Sequence, residues 1–285
     1  MAKRPLRQYY DGVTIVIDDD LSIIAPWLRH RRRLVPTLRE LSEDQWKSTT
    51  RCTNWDARGV VSHLVTVDAF WMSSLRAAQA RDAPTTFIRG FDPSTGTDIF
   101  VNPMLELPTE VILQQLIDGT EAFVTMAEAF AADDWNAPGE APFGHVSARL
   151  LLAHAFWDSW LHERDILEPL GLAPAIEPDE LLAATWYTLV VGALQGGLLD
   201  DAAPVGPGPA APIDATLRFE ELPDDPLRIE IDTGVRVTRA NGREAASAGS
   251  AVGVVESLAG RRSSAALDTL PEDLSAQLGR AAQIL

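Results

Sequence analysis

VSARLLLAHAFWDSWLHERDIL, residues 146–167, reads as one helix that Pro169 and Gly171 bring to an end. Leu151, Leu152, Phe156, Trp157, Leu161, Ile166 and Leu167 make it strongly apolar. Within that surface His154, Asp158 and His162 lie four residues apart, and Asp165 follows three later. At about 100° per residue a step of four drifts only ~40°, so these polar groups share one side. Burying such a stripe is costly unless its members are paired with one another or bind something. A helix of this kind needs other helices around it.

Three candidates precede it. LSIIAPWLRHRRRLVPTLREL, within the 20–41 stretch, carries Ile24, Trp27, Leu28, Leu34, Leu38 and Leu41 at helical spacing, with Pro26 and Pro36 expected to shorten or bend it. Ser42–Trp46 reads as a capped turn. After a polar loop, Asp56 stands where the N-cap of a second helix (57–80) belongs. Pro108 opens a third helix running to about residue 130, with Leu113, Leu116, Phe123, Met126 and Phe130 as its core face. The connection 81–107 is long enough to suggest a functional lid, and the stretch 133–147 reads as a second loop. Beyond the bundle, AATWYTLVVGALQGGLL lies in a helix at 179–199 that is apolar nearly all round, as expected of one buried between two units. PVGPGPAAP (204–212) is the plainest linker. The apolar period then changes from 3.6 to 2: ATLRFE, LRIEID and VRVTRANG read as strands, and helices near 250–260 and 271–284 close the sequence. The expected fold class is therefore α+β. An arm (1–19) leads into a four-helix bundle (20–172), a connecting helix (173–203) and a small α+β domain (204–285).

Composition narrows the partners. With 24 Lys+Arg against 41 Asp+Glu, the 285-residue chain has a formal charge of −17, which disfavours a nucleic-acid backbone. HRRR (30–33) reads as a solvated helix face in this acidic chain. No apolar run is long enough to span a bilayer, and GVTIVI is too short for a signal-peptide core, so a cytoplasmic protein is expected. The single Cys52 excludes an intrachain disulfide and any cysteine-rich metal cage.

The five histidines carry the chemical interest. Asp158 and His162, at i and i+4, can ligate one ion, and a carboxylate with an imidazole suits zinc or another first-row divalent metal. His63, in VVSHLVTVDAF, aligns with Val60, Val67 and Phe70 on the face that points into the bundle. His63, Asp158 and His162 would form a three-ligand set with an open position, the pattern of a catalytic site. The same residues also fit a plainer reading, a hydrogen-bonded core histidine beside an ordinary Asp–His helix pair.

TTRCTNWDARGVVSHL (49–64) and WDSWLHERDIL (157–167) together resemble the two signatures of the maleylpyruvate-isomerase-type branch of the DinB-like metalloenzymes. SAVGVVESLAGR (250–261) is similar to the helix of that branch's sterol-carrier-like C-terminal unit. The resemblance implies a four-helix bundle holding a divalent metal, usually zinc, at His63, Asp158 and His162. It also implies activity that depends on a low-molecular-weight thiol, mycothiol or a relative, acting on a small electrophile as S-transferase or isomerase. Asp158 stands where the branch usually has Glu, so the metal must sit closer to this helix, take a bridging water, or bind less firmly. His154, one turn away, is expected to line the pocket, and Arg89 and Asp92 on the 81–107 loop to contact cofactor or substrate. Arg236 and Arg239 fit either an anionic group or a solvated strand face. Cys52, just before a helix N-terminus, fits a reactive thiol or a small residue packed under Trp55. In the first case the protein has its own sulfur; in the second the working sulfur comes from outside. A non-catalytic bundle that binds a small ligand or protein, and a thiol-exchange enzyme of natural-product biosynthesis, are the competing expectations.

Overall fold

The computed structural model describes residues 14–17, 23–82, 96–141, 144–198, 211–232, 234–240 and 244–281. Strand β1 (Thr14–Ile17) comes first in the chain and joins a C-terminal sheet. The helical unit follows: α1 (Ile24–Arg39), α2 (Glu43–Trp46), α3 (Ala57–Ala80), α4 (Asp98–Met104), α5 (Thr109–Glu128), a hairpin of β2 (Pro138–Ala141) and β3 (Gly144–Ser147), and α6 (Ala148–Leu167).

Local chemistry sets these helices. Pro26 lies in the first turn of α1, where a missing N–H has no intrahelical partner to lose. Pro36 sits inside the same helix without ending it. Ser42 caps α2 through a reciprocal box with Gln45, in which Ser42 Oγ accepts from the Gln45 N–H and Gln45 Oε1 accepts from the Ser42 N–H. Asp56 caps α3 by accepting from Gly59 N–H at 2.8 Å, and Ser147 caps α6 by accepting from Leu150 N–H. α3 lies against α5 and α6, and α1 against the same two, which closes the four-helix bundle. Leu34, Leu38, Val60, Val61, Leu64, Ile112, Leu116 and Ile166 are buried together in its core. About 25 cal/mol per Å² of apolar surface removed from water is what holds such a layer together.

Three features depart from the sequence reading. The stretch 81–107 contains α4, whose Val101 and Met104 are buried; Arg89 and Asp92 lie outside the described residues. The segment before α6 contains the β2–β3 hairpin, packed on α3 and α6. HRRR is not a solvated face throughout: His30 and Arg31 are fully buried, Arg33 is half-buried, and Arg32 is exposed. Two successive helix positions project about 100° apart, so one four-residue run necessarily meets both core and solvent.

The other unit runs from Ile176 onward and takes in β1. Its sheet has the order β1–β6–β5–β4–β7, built from β4 (Ile213–Phe219), β5 (Leu222–Ile231), β6 (Gly234–Arg239) and β7 (Ala246–Ser247). β4, β5 and β6 form an antiparallel meander, while β1 pairs parallel to β6. α7 (Pro178–Leu198), α8 (Ala251–Leu258) and α9 (Glu272–Ala281) complete it. The sequence reading treated the α7 region as a connector and residues 1–19 as an arm. In the structure α7 packs on β5, β6, α8 and α9, and the Trp186 indole donates to the Val237 carbonyl at 2.9 Å. A helix apolar on all sides finds its partners inside one unit. The protein is α+β, a helical bundle and a smaller sheet-containing unit. Among the described residues no helix is long and apolar enough to cross a membrane.

Candidate metal centre

α3 and α6 bring His63, Asp158 and His162 together, across about 95 residues of chain. His63 Nε2 is 3.4 Å from one Asp158 oxygen and His162 Nε2 is 3.3 Å from the other. The two imidazoles meet edge to face, with centroids 4.9 Å apart. His63 and His162 are buried, whereas Asp158 keeps 18% of its side chain accessible, so the group opens toward solvent at the carboxylate. Burial pushes the Asp158 carboxyl up, but the two adjacent imidazoles outweigh it and hold it well below the usual range. Burial pushes His162 down, and its contacts with Asp158, Asp165 and Cys52 raise it well above an ordinary histidine.

The donor set fits a first-row divalent ion. Each imidazole stands 3.3–3.4 Å from its own oxygen of the Asp158 carboxylate, and one donor atom from each of the three residues lies within 4.8 Å of the others, close enough to converge on one ion with bonds of about 2.0–2.1 Å. Two imidazoles and a carboxylate are also the ligand chemistry of zinc sites that retain an open position. The shorter reach of Asp158 is therefore no obstacle, because its carboxylate already touches both rings.

Several neighbours were not legible as site residues. Trp55 stacks on His63 with centroids 5.0 Å apart, and its indole donates to Asp98 on α4 at 3.1 Å. Gly59 makes that stack possible, since a Cβ there would stand 2.7 Å from Trp55 Cβ. Asp165 Oδ2 lies 2.9 Å from His162 Nδ1, and Arg51 Nε donates to Asp165 Oδ1 at 2.9 Å. The Asp-three-after-His spacing was visible in the sequence, but Arg51 reaches the site only through the fold. Cys52 is half-buried and packs with Trp55 against the core; its Sγ donates to Asp165 Oδ2 at 3.2 Å and lies 3.7 Å from His162 Nδ1. Cys52, His162 and Asp165 thus form a second group of potential donors sharing one histidine.

His154 lies one turn before Asp158, between Trp71 at 4.7 Å and Trp157 at 5.8 Å. Burial pushes it down to about 4, so it is a neutral, half-buried ring beside the centre. On the far side of α6, Ser159 Oγ is 2.9 Å from His30 Nε2, and His30 Nδ1 is 3.5 Å from Glu163, which Arg33 also contacts. The order resembles a nucleophile–base–acid chain, yet Ser159 and His30 are wholly buried, and the contact ties α1 to α6.

Fold and site together define a four-helix bundle with an inward-facing two-histidine, one-carboxylate centre. Residues 27–167 match the family model described as the mycothiol maleylpyruvate isomerase N-terminal domain. The helical unit of this chain is thus a domain of the kind that this family model describes. No curated protein matches it by sequence. Among solved structures it is similar to that of the mycothiol-dependent maleylpyruvate isomerase, with a TM-score of 0.58, 14% identity, and coverage of 87% of this chain and 93% of the other. A histidine-to-alanine mutant of that isomerase matches with the same values. At this identity the likeness speaks to the fold of the chain.

Proposed function

We propose that this protein is a divalent-metal-dependent enzyme that uses a low-molecular-weight thiol, mycothiol or a close relative, on a small electrophile. The observation that carries the reading is the spacing of His63 Nε2, Asp158 and His162 Nε2 inside a domain of this family. A divalent ion bound there, zinc by its ligand chemistry, supplies a Lewis acid that makes a thiol a nucleophile at neutral pH.

The chain's own groups do the rest. His63 and His162 present Nε2 lone pairs once deprotonated, and Asp158 contributes the negative charge. Trp55 fixes the His63 ring by stacking. Cys52 is the only thiol of the chain and is engaged with Asp165, which supports a sulfur that arrives from outside. The incoming thiol bonds to an electrophilic carbon. If a leaving group departs with the electron pair, the product is a thiol conjugate; if the thiol itself is later expelled, the product is an isomer. His154 lines the pocket as a neutral ring, and Arg89 and Asp92 remain proposed contacts for cofactor or substrate. A cytoplasmic protein is the setting in which such a thiol is available.

The test pairs metal content with chemistry. Wild-type protein is expected to consume a reactive electrophile only when both divalent metal and thiol are present, and His63→Ala and His162→Ala are expected to abolish this. Metal-bound protein with no thiol-dependent turnover of any electrophile would favour the non-catalytic bundle instead.

A further inference from the structure

The centre has a second layer that fixes which face of His162 it uses. His162 is flanked by two carboxylates: Asp158 on Nε2 at 3.3 Å and Asp165 on Nδ1 at 2.9 Å. Asp158 is partly open to solvent, whereas the Asp165 side chain is fully buried. Asp165 is also held from three further directions. Arg51 Nε donates to Oδ1 at 2.9 Å, Cys52 Sγ donates to Oδ2 at 3.2 Å, and the Arg51 backbone N–H donates to the Asp165 carbonyl at 3.1 Å. Arg51 is anchored in turn by Glu168 Oε2 at 2.8 Å, one residue beyond α6. The loop between α2 and α3 is thereby pinned to the C-terminal end of α6 around one carboxylate.

We propose that Asp165, clamped by Arg51, is the positioning residue of the centre. It accepts the Nδ1–H of His162, so the neutral imidazole carries its proton on that nitrogen and turns its Nε2 lone pair toward His63 and Asp158. This rests on the metal-site reading above and extends it to residues that act through a ligand and do not themselves bind the metal. A buried carboxylate that accepted from nothing else could rotate or let the imidazole flip; one fixed through both oxygens and its own backbone holds the ring in a single orientation. Arg51 does more than balance charge. Its planar fork spans Asp165 and Glu168 together, a geometry that lysine's single ammonium does not reproduce. Loss of such an outer partner typically weakens a metal site by about 10–100-fold while leaving the ligands in place.

The experiment measures Zn²⁺ affinity by competition with a chromophoric chelator, alongside the ¹⁵N shifts of the His162 ring. The proteins are wild type, Asp165→Asn, Arg51→Gln, Arg51→Lys and, as a control on exposed α2, Glu43→Gln. Asp165→Asn and Arg51→Gln are expected to weaken Zn²⁺ binding at least tenfold. In the Zn²⁺-saturated proteins the His162 Nδ1–H resonance should move from the position of a strong hydrogen bond in wild type toward that of an unpaired N–H in the variants. Arg51→Lys should recover only part of the loss, and Glu43→Gln should bind as wild type. Arg51→Gln lies at the surface-facing edge of the clamp, so it keeps the test open if Asp165→Asn fails to fold. Wild-type protein that binds Zn²⁺ while Asp165→Asn or Arg51→Gln binds within twofold of it, with unchanged His162 shifts, overturns this inference alone. Wild-type protein that binds no Zn²⁺ overturns the metal-site reading and this inference with it.

Discussion

Replacing Arg31 with methionine isolates the electrostatics of the bundle interior. Arg31 Nη2 is 2.9 Å from Asp68 Oδ1, and the two side chains are 0% and 2% exposed. Asp68 has no other hydrogen-bonding partner among the described residues. Burial raises its carboxyl to about 6 even with Arg31 pulling it down. A folded-state value above the unfolded one near 3.9 means the native state holds the proton more tightly. This group's contribution is therefore full below about pH 4 and is lost as pH rises through about 6. Methionine keeps the unbranched apolar stem of Arg31 but is shorter and removes the charge that opposes this trend. At pH 8 the variant must bury an unpaired carboxylate, and breaking a buried pair in this way costs about 3–5 kcal/mol. At pH 5 the carboxyl is protonated, and the loss shrinks to about 1–3 kcal/mol for groups left without partners. Urea unfolding of wild type and variant at the two pH values reads the difference directly. Equal losses at pH 5 and pH 8, or a loss below about 1 kcal/mol at pH 8, would refute the burial argument.

Other consequences are simpler to state. Asp158→Glu is expected to weaken metal binding roughly tenfold, because the Asp carboxylate already lies against both imidazoles and an added methylene overshoots them; isothermal titration with Zn²⁺ checks this, and tighter binding would contradict the geometry. Gly59→Ala should cost about 1–3 kcal/mol and loosen the Trp55–His63 stack, seen as a lower Tm and a changed Trp55 environment in fluorescence. Ser147→Ala removes the N-cap of α6 and should cost ~1 kcal/mol in denaturant unfolding, while leaving metal stoichiometry unchanged.

How much of this was written plainly in the sequence differs between elements. α3, α5 and α6 announce themselves through apolar period, and α3 also through its cap at Asp56, since both signals are local. The alternation of ATLRFE and LRIEID likewise identifies β4 and β5. β1 could be seen only as a short strand: its pairing with β6 joins residues about 220 apart, and nothing local specifies such a partner. α4 and the β2–β3 hairpin are short, rich in Gly, Pro and Asn nearby, and owe their form to packing on α3 and α6. α7 shows the limit of an all-apolar pattern, which says that a helix is buried and leaves open against what. At the centre, the i, i+4 pair Asp158 and His162 was readable, as was the inward face of His63. Arg51 was not: an arginine in a polar loop looks solvated until the fold carries it to Asp165. The burial of His30 and Arg31 was hidden in the same way, because Ser159 and Asp68 lie on other helices.

The most direct test is the metal content of protein purified without added metal or chelator, read by elemental analysis for wild type and for the His63→Ala/His162→Ala double variant. The account predicts about one divalent ion per wild-type chain, zinc foremost, and none retained by the folded double variant. A wild type that binds no divalent ion even on titration, or a double variant that binds as firmly as wild type, would contradict it.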